Sequence, residues 1–172
     1  IAHAERVRDL AGEEDLLQRG AAEALVALAH WAQGDLETAR DRYTRSIAHF
    51  VAGEYLSDAM GCSIALADIE IAQGRLRHAQ HTFEAGLRHA AVNPGLRGAA
   101  DMHVGLCLLA IEHDDLDAAA RHLRASADLG EHLGLPQHPY RWRVAAARLH
   151  RAHGAPGPAL ALLAEAEARY TT

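Results

Sequence analysis

A chain of 172 residues can bury one sizeable core or a row of small repeats, and two large domains are excluded. Its 23 acidic and 17 basic residues leave a net charge of -6, which offers no general attraction to nucleic acid or anionic lipid. Every basic residue is arginine, so lysine chemistry such as a Schiff base or a phosphate-loop lysine is excluded too.

Alanine and leucine dominate while aromatics make up only 5%, the composition of an all-helical protein. The two cysteines, Cys62 and Cys107, each lie in an apolar helical run and read as buried free thiols of a reducing cytoplasm. No uncharged stretch reaches the ~18 residues of a membrane span, and no signal-like segment stands at the amino end. The chain opens on Ile1 in helix-like sequence, which reads as a piece of something longer.

In chain order, residues 1–17 read as the second helix of a truncated hairpin, with Val7 and Leu10 in the places of Ile47 and Phe50. Helices then come in pairs: 20–33 with 36–52, 55–73 with 76–91, 97–113 with 116–133, and 137–153 with 156–170. The apolar spacing before and after each turn, as in Leu25, Leu28 and Ala29, is that of amphipathic helices. A single helical-repeat domain over 1–172 follows, with a partial repeat 1–19 and repeats at 20–54, 55–94, 95–134 and 135–172.

The pairing rests on an internal repeat of 40 residues. Turn residues Gly34-Asp35, Gly74-Arg75, Asp114-Asp115 and Gly154 recur at that spacing. Around them recur Leu36, Leu76 and Leu116, then Ala39, Ala79, Ala119 and Ala159, then Tyr43, Phe83, Leu123 and Leu163. Small residues follow at Ser46, Gly86, Ser126 and Ala166. Alanine lets two helix backbones approach, and the larger residue four positions on fills the space between hairpins.

This order of helix A, Gly-Asp turn and helix B, with alanine and then an aromatic at fixed steps, resembles the tetratricopeptide repeat, an α-solenoid of stacked helix hairpins. The early Trp of helix A is missing, Ala27, Ala67, Cys107 and Ala147 hold the small position, and the period is 40 instead of 34. The last repeat is more specific. Its run from Gly134-Leu135-Pro136-Gln137-His138-Pro139-Tyr140-Arg141-Trp142-Arg143-Val144 through Leu162-Leu163-Ala164-Glu165-Ala166-Glu167 to Tyr170 is similar to the helical-repeat region of MalT-like regulators. The likeness is close over 130–170 and architectural over 20–129, and Ala155-Pro156-Gly157-Pro158 replaces the usual turn.

The resemblance implies a sensor or scaffold region between a signalling ATPase and a carboxyl-terminal helix-turn-helix, both outside this sequence. ATP is then expected only in the parent's ATPase domain, with no cofactor in this chain. Expected partners are a small-molecule inducer or a regulatory protein, the parent's other domains, and a second copy through uncapped solenoid ends. This segment is expected to touch neither nucleic acid nor membrane. The alternative is a free-standing tetratricopeptide-like adaptor that holds peptide segments of partner proteins.

Corresponding helix A positions place Trp31, Asp68, Asp101, Glu112, Arg141, Arg148 and Arg151 as candidate ligand-binding residues of a concave face. Arg141, Arg148 and Arg151 share one helix face and could hold a carboxylate or phosphate, against the plainer reading of a solvated face with local ion pairs. Trp142 occupies the repeat position of Ala22, Cys62 and Met102 and reads as core rather than as a stacking platform. Among 13 histidines, His78 with His81 and His150 with His153 stand one turn apart, but two ligands do not make a metal site. His113 and His153 share a place at the end of helix A, where an imidazole suits the helix dipole. No nucleophile triad, phosphate loop or paired carboxylates point to catalysis, and the chain reads as a binding protein, not an enzyme.

Overall fold

The computed structural model describes residues 6, 12 and 14–170. Among these there are eight α-helices and no strand: α1 (Leu16–Ala32), α2 (Leu36–Ala52), α3 (Leu56–Ala72), α4 (Leu76–Val92), α5 (Ala99–Glu112), α6 (Leu116–Leu129), α7 (His138–Ala152) and α8 (Pro156–Tyr170). None of the described helices is long and apolar enough to cross a membrane.

The 40-residue repeat is a backbone event. Gly34, Gly74, Asp114 and Gly154 all take left-handed conformations, with φ of 82°, 72°, 59° and 72°. At each, the next residue's N–H reaches back to the same helix A carbonyl: Asp35 to His30 at 3.0 Å, Arg75 to Glu70 at 2.7 Å, Asp115 to Ala110 at 2.9 Å, Ala155 to His150 at 2.9 Å. This bond closes helix A and turns the chain within three residues. Asp35 and Asp115 then cap helix B, accepting the N–H of Thr38 at 3.2 Å and of Ala118 at 2.8 Å. Pro156 instead occupies the first position of α8, where its missing N–H costs nothing, so that hairpin keeps the same turn. His113 and His153 donate Nδ1–H to the carbonyls of Leu109 and Leu149 at 2.8 and 3.0 Å, a direct bond rather than a dipole effect alone.

Two boundaries differ from the sequence reading. Helix α1 starts at Leu16, because Asp15 accepts the N–H of Gln18 at 3.0 Å and caps the helix four residues earlier than the expected start near 20. Leu16 and Leu17 therefore belong to α1 and not to a preceding helix. Val7 and Leu10, named for that helix, lie outside the described residues. Helix α6 stops at Leu129 instead of 133, since Gly130 adopts a φ of 76°, and a single 3-10 turn at Glu131–Leu133 follows.

The chain divides into two compact units, Ile1–Thr82 and Phe83–Thr172, with the division inside α4. In the first, Ala27 of α1, Ala39 and Tyr43 of α2, and Leu66 and Ile69 of α3 form one buried cluster. In the second, Val104 and Cys107 of α5, Ala119 of α6, and Ala145 and Leu149 of α7 form another. The repeat alanines 39, 79 and 119 are wholly buried, as close backbone approach requires. Ser46 and Ser126, also wholly buried, donate their hydroxyls to the carbonyls of Gly20 at 2.8 Å and Ala100 at 2.9 Å, so the small repeat position also ties helix B to helix A.

Candidate functional site

In the first unit, Trp31 is half-buried and packs on the core cluster, edge to face with Tyr43 at 6.3 Å between ring centroids. Asp68 is half-buried on α3. Two further carboxylates are almost fully buried there: Glu23, met by Arg42 at 3.1 Å, and Glu70, which accepts the Thr82 hydroxyl at 3.0 Å. Burial raises the Glu70 pKa, and the Thr82 hydrogen bond works against that rise.

The second unit contains the more developed site. Asp101 is wholly buried, and one of its oxygens accepts the Leu135 N–H at 2.8 Å while the other lies 3.2 Å from His138 Nδ1. His138 is itself nearly inaccessible. Its ring covers Gly134 so closely that a Cβ there would stand 2.5 Å from the histidine Cγ, which is why residue 134 carries no side chain. The Gly98 N–H donates to the Leu133 carbonyl at 2.7 Å, and Arg97 donates to that of Gly134 at 3.3 Å. The α6–α7 connection is thus fastened along its length to the start of α5.

A cleft of about 210 Å3 opens beside this fastening. Ser126, Ala127 and Gly130 line it from the end of α6, Glu131 from the 3-10 turn, and His138, Trp142 and Arg143 from α7. Trp142 is half-buried against the core cluster and donates its indole N–H to the Leu123 carbonyl at 3.3 Å, so the core reading holds while the residue also borders the cleft. Arg143 donates to the Pro139 carbonyl at 2.7 Å and stands 3.3 Å from Glu165 and 3.7 Å from Glu131; Arg169 meets Glu131 at 3.4 Å. A guanidinium held between two carboxylates presents a fixed donor edge at the rim.

The remaining sequence candidates distribute differently. Glu112 and Arg148 are brought together at 3.9 Å on an exposed surface, a weak pair. Arg151 is exposed and Arg141 half-buried. Asp101 faces the core instead of an open groove, because it bonds the α6–α7 connection. Sequence reasoning did not single out His138, Glu131, Arg143 or Glu165 as site residues. The available signal was the run from Gly134 to Val144, which breaks the repeat pattern just where the connection lengthens. Among the described residues no group of three or more His, Cys, Asp or Glu could hold a metal ion, and His78, His81 and His150 are exposed. Cys62 and Cys107 are free thiols.

The family model described as the MalT-like TPR region matches residues 1–172. No curated protein matches the chain. The solved structure of BtubC (BKLC) from P. vanneervenii is similar at a TM-score of 0.70 and 15% identity, covering 98% of this chain and 69% of that one. A putative kinesin light chain from Podosopora anserina, with nearly identical TPR-like repeats, is similar at a TM-score of 0.66 and 18% identity, covering 96% and 81%. At these identities the likeness speaks for the fold alone, an all-α array of TPR-like hairpins.

Proposed function

We propose, from the premise that this chain belongs to the MalT-like TPR region family, that it is the ligand- or protein-binding sensor region of a MalT-like transcriptional regulator and performs no chemistry itself. The observation that carries this reading is the cleft between the end of α6 and α7, where an apolar wall at Trp142 meets a charged rim at Glu131 and Arg143. Its volume of about 210 Å3 is below the ~300–1,000 Å3 of sites for drug-sized molecules, so it suits a small metabolite or one side chain of a partner peptide. An occupant that prefers one arrangement of α6, the connection and α7 would shift the parent protein between inactive and active populations. ATP belongs to that parent's ATPase domain, and the two free thiols fit a cytoplasmic location.

Thermal unfolding of the chain with amino acids, sugars, nucleotides and tripeptides as probes tests this reading. A probe that occupies the cleft raises the unfolding midpoint in a concentration-dependent way. The rise should vanish in Ala127→Phe, which fills the cleft from an exposed position, and shrink in Glu131→Ala. If no probe class shifts the midpoint, or the shift survives both substitutions, the cleft is not the binding site.

A further inference from the structure

The cleft at the end of α6 offers a donor and an acceptor side by side. Arg143 is only 15% exposed, with Nη1 bonded to the Pro139 carbonyl at 2.7 Å and Nε to Glu165 at 3.3 Å. Its Nη2 group, with two further N–H donors, meets no partner among the described residues. A guanidinium fixed on two sides and open on the third is an oriented seat for a carboxylate.

Glu131 stands beside it, 54% exposed, at 3.7 Å from Arg143 Nη1 and 3.4 Å from Arg169 Nη1. Both contacts exceed the ~2.7–2.9 Å of a charge-assisted hydrogen bond, so this carboxylate keeps acceptor capacity for a closer cation. The end of α6 lines the same cleft through Ser126, Ala127 and Gly130, and the negative pole of a helix C-terminus adds to the pull on a cation. Trp142, Pro139 and Ala127 supply apolar lining.

Charge balance decides among ligands. The rim already sets Arg143 and Arg169 against Glu131 and Glu165. A phosphate or a plain carboxylic acid would add an anion beside two glutamates, and a plain amine would add a cation beside two arginines. An uncharged sugar would bring a counter-charge to neither. A molecule with an ammonium and a carboxylate on one carbon answers both neighbours and adds no net charge.

We infer that the cleft binds a free α-amino acid with an apolar side chain, its carboxylate on Arg143 Nη2, its ammonium on Glu131 and its side chain against Trp142. This identification rests on the cleft being the binding site. A volume of about 210 Å3 leaves room for one amino acid and not for a longer peptide.

Isothermal titration calorimetry of the 172-residue chain near neutral pH with L-valine, L-leucine, isovalerate and isobutylamine tests the assignment. Isovalerate keeps the carboxylate of valine without its amine, and isobutylamine keeps the amine without the carboxylate. Valine or leucine should bind saturably, and each truncated analogue at least ~10-fold more weakly, the cost of one lost charge-assisted bond. Glu131→Gln should abolish the advantage of valine over isovalerate, and Arg143→Met its advantage over isobutylamine. Should Arg143→Met lose its fold, Glu131→Gln decides alone, since that side chain lies at the surface. Analogues that match valine, or a preference unchanged in Glu131→Gln, overturn the amino acid assignment; the cleft reading stands if Ala127→Phe still abolishes binding. A sugar or nucleotide that binds in place of the amino acids and is lost in Ala127→Phe has the same consequence. Amino acid binding that survives Ala127→Phe, or no binding by any of these classes, overturns both.

Discussion

His103 on α5 and His122 on α6 meet nitrogen to nitrogen across their hairpin, with the Nδ1 atoms 3.1 Å apart and the ring centroids 5.4 Å apart. Only one of the two can donate, so the bond exists when one Nδ1 carries a proton and the other does not. Two imidazolium rings would set N–H against N–H in a half-buried place. Burial holds both histidines below the usual 6.5, His103 helped by the His122 charge and His122 by Arg121, with Asp115 and Glu84 opposing at His122. The folded chain therefore takes up protons later than the unfolded chain, and the stability this pair contributes is complete above 6.5 and is lost as pH falls below it. The unfolding midpoint should drop between about pH 7.5 and about pH 5.5, and drop less in the double variant His103→Gln/His122→Asn. The other histidines are common to both proteins, so parallel midpoint curves would remove this pair as the cause.

Gly105 is a packing requirement set by Phe83. Adding one methyl group there meets a wholly buried aromatic ring with nowhere to withdraw. Gly105→Ala should cost about 1–3 kcal/mol in urea unfolding, the range for overpacked cores. Phe83→Ala should cost about 3–5 kcal/mol by leaving a cavity. The pair Phe83→Leu with Gly105→Ala should recover part of the loss, and strict additivity of the two single changes would show that the contact is not what sets the cost.

Asp101 holds the α6–α7 connection through the Leu135 N–H, and its second oxygen lies 3.2 Å from the buried His138 ring. Asp101→Ala leaves the Leu135 N–H and the His138 ring without that carboxylate, and a loss of about 3 kcal/mol is expected. Amide exchange over residues 130–137 should accelerate more than exchange in α1 or α2. Uniform acceleration over the whole chain would mean that Asp101 supports the fold generally and not that connection.

Cys107 sits wholly buried beside Val104, and burial pushes its thiol up to about 11. The thiol of Cys62 is also raised by burial, with the Ser46 hydroxyl at 3.5 Å working against the rise. Thiolate is the reactive form, so alkylation of the native chain near pH 7.5 should be slow at both positions and roughly complete only after denaturation. Cys62, the less buried of the two, should react first. Rapid native labelling of Cys107 would contradict its place in the core.

Much of the fold was legible because it is periodic. The left-handed turns at Gly34, Gly74, Asp114 and Gly154 and the buried alanines 39, 79 and 119 are local requirements of one hairpin, and each repeat restates them in sequence. The capping role of Asp15 was missed because it stands outside the 40-residue register. The early end of α6 was missed because Gly130 breaks a pattern that otherwise runs on to 133.

The sequence by itself determined helix type, hairpin turns and the residues that let backbones approach, since these follow from steric rules acting within about 40 residues. Tertiary structure alone decided what the polar candidates do. Asp101, near the start of α5, is wholly buried beside His138 and bonded to Leu135, while Asp68, near the end of α3, is half-buried. The cleft beside Trp142 exists because a lengthened connection is tied back to α5, and a contact between residues 34 and 37 positions apart leaves no periodic trace in the chain.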